Sequence, residues 1–326
     1  MLDQQSKPTT TENSINANNT PSIDSNTSDP FVGLSFKVGV AENKNTNYRN
    51  KMEDVHTYIA NFAERIDWGY FAIFDGHAGK ETARWCGNNL HSLLEQEISS
   101  PEAENVDMRN SLCSAFVKAD DVIVKEGSGN SGCTAAVAVL KWELDDPTVS
   151  EEHIATKPSR FEFNPSIHHK RMLYTSNVGD SRIVLYRNKL PYRLSYDHKA
   201  TDVNEVNRIR ESGGLIMKNR VNGVLAVTRS LGDSYMKELV IGKPFTTCTE
   251  ITANDEFMIL ACDGVWDVIS DLDACEFVSD LFQKNPTLDP QQVAKKLCQL
   301  AIDNSTTDNV TVMVVKFDDE VFKDRQ

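Results

Sequence analysis

Four aspartates of this chain stand at the ends of apolar segments that are typical of buried strands. Asp75 is followed by Gly76 and His77, so a carboxylate, a turn residue and an imidazole come directly after five apolar residues. The other three aspartates are placed in the same way, although they are far apart in sequence. The four positions are Asp54 before residues 55–62, Asp75 after 70–74, Asp263 after 257–262 and Asp308 before 310–315.

Convergence of these four carboxylates on one divalent-metal site is the simplest interpretation of this pattern. A carboxylate at the end of a buried strand is costly unless it is paired or binds a cation. The chain has no His or Cys pair at metal-ligand spacing, so the donor atoms would be oxygens. Because hard oxygen ligands favour Mg²⁺ or Mn²⁺ over Zn²⁺, we expect one of the former ions.

The composition excludes several classes of partner. The net charge of −14 argues against nucleic acid and anionic membranes, because both require basic surfaces. No apolar run approaches the ~18 residues of a membrane span, and the N-terminus lacks the apolar core of a signal peptide. The seven cysteines are scattered without a CxxC motif, which indicates reduced core thiols. We therefore expect a soluble intracellular protein.

The chain divides into a polar N-terminal segment and a long patterned region. Residues 1–30 have too few apolar residues to form a core, so we expect a disordered tail. Residues 31–326 are predicted to form one catalytic domain. Residues 145–169 are charged, contain three prolines and show no period, which predicts a surface insertion between two strands.

The apolar spacing predicts neighbouring groups of strands and pairs of helices. Closely spaced strands favour antiparallel pairing, and helix pairs cover the faces of sheets. The predicted fold class is therefore α+β, a four-layer sandwich of two antiparallel sheets flanked by helix pairs, with residues 221–242 as an irregular flap. The predicted strands are 36–40, 55–62, 68–74, 131–140, 172–178, 181–186, 257–262 and 310–315, and the helices are 79–98, 106–125, 201–212, 271–282 and 290–303.

Eight short motifs follow one another along the chain: RNKMED at 49–54, FDGHAG at 74–79, SGCTA at 131–135, VGDSR at 178–182, DHK at 197–199, RSLGD at 229–233, ACDGVWD at 261–267 and TDNVT at 307–311. Any one motif alone is a common turn sequence, but the ordered series is specific. The series resembles that of the type 2C, metal-dependent serine/threonine protein phosphatases, the PPM family. The resemblance covers roughly residues 36–317.

The resemblance implies an α-β-β-α sandwich with a two-metal centre at one end. The implied metal ligands are Asp54, Asp75, the backbone carbonyl of Gly76, Asp263 and Asp308, with Glu53 holding metal-bound water. Asp180 and Asp267 match acids at a more weakly held third metal; the less favoured alternative is that they only accept backbone hydrogen bonds in turns. The implied cofactor is Mg²⁺ or Mn²⁺.

Two further residues suit phosphate ester hydrolysis. Arg49 matches the arginine that binds the substrate phosphate, and a guanidinium can hold phosphate oxygens bidentately. His77 matches the histidine proposed as general acid, and the seryl or threonyl alkoxide is a leaving group that needs a proton. Two divalent ions would produce the attacking water or hydroxide and stabilise an in-line displacement. No cysteine has an arginine at the Cys-x5-Arg spacing of cysteine-based phosphatases.

The expected activity is hydrolysis of phosphoserine and phosphothreonine in proteins. Within the family, the chain looks most like small single-domain eukaryotic members that act on stress-signalling kinase cascades, which suggests phosphorylated kinases as partners. We expect a monomer in the cytoplasm and the nucleus. The alternative is a catalytically silent relative that binds kinases or scaffolds, but such a protein would lack a metal acid. A metal-dependent nuclease is disfavoured by the acidic charge.

Overall fold

Two five-stranded antiparallel sheets form the centre of the fold. The computed structural model describes residues 31–99, 107–126, 129–145 and 160–323. Sheet I contains, in spatial order, β1 (Phe36–Asn43), β15 (Val310–Phe317), β14 (Asp255–Ala261), β8 (Arg182–Arg187) and β9 (Leu190–Arg193). Sheet II contains β13 (Phe245–Ile251), β7 (His169–Val178), β6 (Ala135–Leu144), β3 (Gly69–Phe74) and β2 (Val55–Ala60).

A pair of helices covers the outer face of each sheet. Helices α1 (Glu81–Ser99) and α2 (Met108–Glu126) bury their apolar faces together with Tyr70, Ala72 and Phe74 of β3. These residues alternate along the strand, so they share one face. Helices α5 (Asp271–Lys284) and α6 (Pro290–Asp303) pack in the same way on Phe257, Ile259 and Ala261 of β14.

The inner faces of the two sheets pack against each other. Phe71, which points to the opposite side of β3 from Tyr70, meets Phe36 of β1 with ring centroids 5.3 Å apart and an interplanar angle of 86°. Both rings are almost completely buried. The layers are therefore helix, sheet, sheet, helix, which confirms the predicted α+β sandwich.

Short elements complete the end of the sandwich. Strands β4 (Gly76–His77), β5 (Gly132–Cys133) and β12 (Leu231–Gly232) form a small sheet. The turn helix α4 (Asp263–Trp266) directly follows β14. Helix α3 (Val203–Glu211) and the hairpin of β10 (Ile216–Met217) with β11 (Arg220–Val221) share a small apolar cluster of their own.

Strands β9 and β13 were not predicted from the sequence. Both are edge strands with exposed positions, so their apolar pattern is weak. The predicted tail, 1–30, and residues 146–159 of the predicted insertion lie outside the described residues. Gly33–Gln326 forms one compact unit. Among the described helices, none has the length and apolar character that crossing a membrane requires.

Candidate metal centre and active site

Asp54 and Asp75 come to the same end of sheet II because of strand register. Strands β2 and β3 are antiparallel, and Val55 pairs with Phe74. Asp54 directly precedes the first of these residues, and Asp75 directly follows the second. The side chain of Asp54 is buried, whereas Asp75 keeps part of its surface open to solvent. This end of the sheet therefore presents two adjacent carboxylates.

Sheet I places its two aspartates at the same end of the sandwich as Asp54 and Asp75. Asp263 opens α4 just after β14, and Asp308 lies two residues before the paired strand β15. The Thr311 hydroxyl of β15 donates a hydrogen bond of 2.6 Å to Oδ2 of Asp54, which joins the two sheets at this point. All four predicted carboxylates thus meet at one end of the sandwich.

The pKa values of these acids reflect burial and, in addition, the closeness of like charges. Burial raises the pKa of Asp54 to about 6, although hydrogen bonds from Thr311 and Cys262 act in the opposite direction. Burial also raises the pKa of Asp75 well above its ordinary value, and the charges of four other acids add to this: Asp263, Asp54, Asp180 and Asp308. The pKa of Asp263 is raised well above its ordinary value for the same two reasons.

These side chains fit a divalent cation. Converging carboxylates that disfavour their own ionisation gain most from a nearby positive charge. The donors are carboxylate oxygens, with one thiol close by: donor atoms of Asp54, Asp75 and Cys262 lie within 4.8 Å of one another. The Cys262 sulfur is fully buried and accepts a hydrogen bond from the Thr311 backbone N–H at 3.2 Å, and burial raises its pKa. We therefore expect the carboxylate oxygens, rather than this thiol, to bind the ion.

Glu53 and Gly76 are held tightly beside the aspartates. One carboxylate oxygen of Glu53 accepts a hydrogen bond of 3.0 Å from the Gly79 N–H, and the Glu53 N–H donates to the Asn309 side chain at 2.9 Å. A Cβ atom at Gly76 would lie 2.5 Å from the Glu53 carbonyl oxygen, so only glycine permits this approach. The predicted carbonyl ligand is thus next to the predicted water-binding glutamate.

Arg49 forms an ion pair with Asp308. Its Nη2 lies 2.5 Å from Oδ2 of Asp308, and its Nε donates to the Thr307 carbonyl at 3.1 Å. Its side chain remains 43% exposed, so the guanidinium stands at the rim of the cluster. From there it can contact an anion that binds at the carboxylates.

Asp180 and Asp267 are joined by a lysine. Lys199 Nζ lies 3.3 Å from Oδ2 of Asp180 and 2.9 Å from Oδ1 of Asp267. Burial raises the pKa of Asp180 despite this ammonium group, and the pKa of Lys199 is itself raised by the two acids in spite of its burial. The structure therefore brings both predicted third-metal acids together, with a cation between them.

His77 points to a carboxylate from a distant segment. Its Nε2 lies 2.7 Å from Oδ2 of Asp233, which is completely buried. The motifs at 74–79 and 229–233 contain these two residues, but the sequence assigned no partner to the histidine. Lys199 and Cys262 were also missed as members of the site, because neither an Asp-His-Lys run nor a core cysteine signals a role by itself. All seven cysteines are free thiols, and five of them are buried as the sequence predicted. Cys113 is only partly buried and Cys248 is exposed, so the prediction of a core thiol is wrong for Cys248.

The sequence profile of the family described as Protein phosphatase 2C matches residues 38–144 and 164–310, which hold every predicted site residue. The chain is a member of the protein phosphatase 2C family. It is 54% identical over 282 residues to Protein phosphatase 2C homolog 1 of Saccharomyces cerevisiae, covering 86% of this chain and 94% of that protein. It is 40% identical to Protein phosphatase 2C homolog 1 of Schizosaccharomyces pombe, covering 88% of this chain and 74% of the relative.

Solved structures with the same fold agree with this membership. A sex determining protein of C. elegans superposes with a TM-score of 0.72 at 23% identity, covering 89% of this chain and 67% of that one. A phosphatase from Toxoplasma gondii superposes with a TM-score of 0.70 at 22% identity, covering 88% and 94%. At these identities the likeness concerns the fold alone. This phosphatase acts on serine and threonine phosphoesters of proteins, as its family does.

Proposed function

We propose that this phosphatase is a two-metal enzyme that uses Mg²⁺ or Mn²⁺ to hydrolyse phosphoserine and phosphothreonine in proteins. The observation that carries the proposal is the meeting of acids from both sheets, where burial and, in addition, the charges of neighbouring acids raise the pKa values of Asp54, Asp75 and Asp263. The residues that would hold the ions are Asp54, Asp75, Gly76, Asp263 and Asp308, with Glu53 beside them and Asp180 and Asp267 at a weaker third position. The bound ions would supply a nucleophile at neutral pH and neutralise phosphate charge.

The side chains around the carboxylates have separate tasks in this proposal. Arg49, at the rim, holds two phosphate oxygens and so fixes the phosphorus atom for in-line displacement. Its pairing with Asp308 keeps the guanidinium close to the site before the substrate arrives. His77 provides a proton to the departing seryl or threonyl oxygen. No covalent intermediate with the protein is needed.

A catalytically silent binding protein is the competing function. Such a protein would have lost at least one of the carboxylates, whereas this chain keeps all of them at one end of the sandwich. Sheet I also contributes Thr311, whose hydroxyl donates a hydrogen bond of 2.6 Å to Asp54 and holds it in place. These features favour catalysis over binding alone.

Release of phosphate from a phosphothreonine peptide tests the proposal. We expect turnover with Mn²⁺ or Mg²⁺ that stops on addition of EDTA. Asp75→Asn should lower kcat by at least about 100-fold, since electrostatic stabilisation by a metal is worth several kcal/mol. Asp280→Asn is the matched control, because Asp280 is an exposed acid on α5 that pairs only loosely with Lys284. Turnover that survives EDTA would contradict the two-metal mechanism.

The cellular role proposed from the family resemblance is negative regulation of stress kinase cascades by a monomer present in cytoplasm and nucleus. The full chain should then dephosphorylate phosphothreonine in kinase activation-loop peptides faster than in unrelated phosphopeptides. Equal rates on both sets would contradict the kinase preference. A dimer mass in analytical ultracentrifugation would contradict the proposed monomer. A fluorescent fusion confined to one compartment would contradict the proposed presence in both cytoplasm and nucleus.

A further inference from the structure

The contact between His77 and Asp233 joins two loops that are distant in sequence. The two residues are 156 positions apart, and their Nε2 and Oδ2 atoms are 2.7 Å apart. The His77 ring is 27% exposed, whereas the carboxylate is completely buried. With Nε2 engaged, Nδ1 is the remaining ring nitrogen, and no hydrogen bond joins it to the described residues.

Asp233 is held in a costly conformation and environment. Its φ of 48° lies in the left-handed region, which non-glycine residues rarely adopt. Oδ2 also accepts a hydrogen bond of 2.5 Å from the Ser230 hydroxyl, while Oδ1 is buried without a partner among the described residues. Both features cost free energy, and such costs are concentrated at functional sites. The arrangement therefore calls for a role beyond stability.

The absence of a side chain at Gly132 leaves room for the pair. A Cβ atom at Gly132 would lie 2.1 Å from Oδ2 of Asp233 and 2.5 Å from Nε2 of His77. Gly132 also pairs with His77 and with Gly232 in the small sheet of β4, β5 and β12. The small sheet thus fixes both loops at the spacing that the hydrogen bond requires.

A second carboxylate supports the same loop without contacting His77. Asp120 of α2 accepts hydrogen bonds from the Gly232 N–H at 2.9 Å and from Lys237 Nζ at 2.8 Å. It is therefore buried against the segment that carries Asp233. Removal of this carboxylate would loosen the loop while leaving the His77 hydrogen bond chemically possible.

We propose that Asp233 is a positioning residue for His77 and that Nδ1 is the nitrogen that serves the leaving group. This inference rests on the proposed function of His77 as general acid. A carboxylate bound at Nε2 keeps a proton on that nitrogen and fixes the plane of the ring. In the doubly protonated ring, Nε2–H stays bound to Asp233 and Nδ1–H gives its proton to the seryl or threonyl oxygen as the bond from that oxygen to phosphorus breaks, which leaves a neutral ring protonated on Nε2. Water forms the new bond to phosphorus: one of its protons stays on the phosphate and the other returns through solvent to Nδ1, so the products are the protein alcohol and inorganic phosphate.

A double-mutant cycle with Asp233→Asn and His77→Ala tests the coupling between the two residues. We expect Asp233→Asn alone to lower kcat on a phosphothreonine peptide by roughly 10- to 100-fold, part of the 10²–10⁴ that a general acid contributes. In the His77→Ala background, the same substitution should change kcat by less than about twofold, because the residue through which it acts is gone. Equal losses in both backgrounds would overturn the proposal.

The choice of leaving group gives a second readout. An aryl phosphate such as p-nitrophenyl phosphate leaves with little need for a proton, so its kcat should fall much less than that of the peptide in Asp233→Asn. The matched control is Asp120→Asn, which should affect both substrates to the same extent and in both backgrounds. If Asp120→Asn also lowered kcat for the peptide more than kcat for the aryl phosphate, loop rigidity would explain the effect. That result would overturn the role of Asp233.

The ring itself can be observed without turnover. In protein labelled with ¹⁵N-histidine, we expect the neutral His77 ring of the wild type to carry its proton on Nε2 rather than on Nδ1. In Asp233→Asn this preference for the Nε2–H tautomer should weaken. A wild-type ring protonated on Nδ1 alone would overturn the proposal. Failure of the wild type to release phosphate from the peptide would instead refute the proposed function, so the two failures are distinguishable.

Discussion

Replacement of Asp54 by asparagine should stabilise the metal-free protein while destroying metal binding. Burial raises the pKa of this side chain from 3.8 to about 6. The folded state therefore binds a proton more tightly than the unfolded state does. As pH rises through this interval, the proton is lost and stability falls, so at neutral pH the native state contains a buried ionised carboxylate that it disfavours.

The magnitude follows from the size of the shift. A change from 3.8 to about 6 corresponds to about 3 kcal/mol at about 1.4 kcal/mol per pKa unit. Asparagine carries no such ionisation cost, and its amide oxygen can still accept the Thr311 hydroxyl. Allowing about 1 kcal/mol for a weaker hydrogen bond, we expect Asp54→Asn to be about 2 kcal/mol more stable at pH 7.

Urea unfolding in EDTA measures this difference. The advantage of Asp54→Asn over the wild type should be roughly 1 kcal/mol larger at pH 7 than at pH 5, because the wild-type carboxyl is mostly protonated at the lower pH. Saturating Mn²⁺ should reverse the order, since it stabilises only the wild type. A variant less stable than the wild type at pH 7 in EDTA, or an advantage that shrinks as pH rises, would refute the reasoning.

Three other substitutions test separate contacts of the site. Gly264→Ala should lower the free energy of unfolding, measured by denaturant titration, by about 1–3 kcal/mol, because the added Cβ would lie 1.9 Å from the Asn309 carbonyl oxygen. Unchanged stability would show that the two backbone segments can separate without cost. Arg49→Lys should raise KM for a phosphopeptide about 10-fold with a smaller change in kcat, since lysine cannot hold phosphate bidentately; an unchanged KM would remove Arg49 from the substrate. Lys199→Met should strengthen a weak Mn²⁺ site at Asp180, as seen by Mn²⁺ electron paramagnetic resonance, because the competing ammonium is gone; unaltered Mn²⁺ binding would contradict this.

The sequence predicted the site residues that lie directly beside the ends of strands. Asp75 and Asp263 follow apolar runs, and antiparallel pairing places Asp54 beside Asp75 once β2 and β3 are recognised. Strand periodicity is a local signal, so it locates the ends of strands and the carboxylates attached to them. The order of the motifs then indicated that these ends meet.

Contacts between loops could not be predicted in the same way. The hydrogen bond from His77 to Asp233 depends on a left-handed backbone at Asp233 and on the space left by Gly132. The bridge of Lys199 between two acids depends on the path of the segment after β9. Neither path leaves a periodic pattern in the sequence. The edge strand β13 was missed for a related reason, since its outward positions carry little apolar signal.

Binding of Mn²⁺ to the purified chain, counted by isothermal titration calorimetry, tests the metal centre most directly. We expect two ions per wild-type chain, with at least one of them lost in Asp75→Asn and in Asp263→Asn. The exposed-acid control Asp280→Asn should bind as the wild type does. A folded wild type that binds no Mn²⁺, or variants that bind it unchanged, would contradict a metal centre built from these carboxylates.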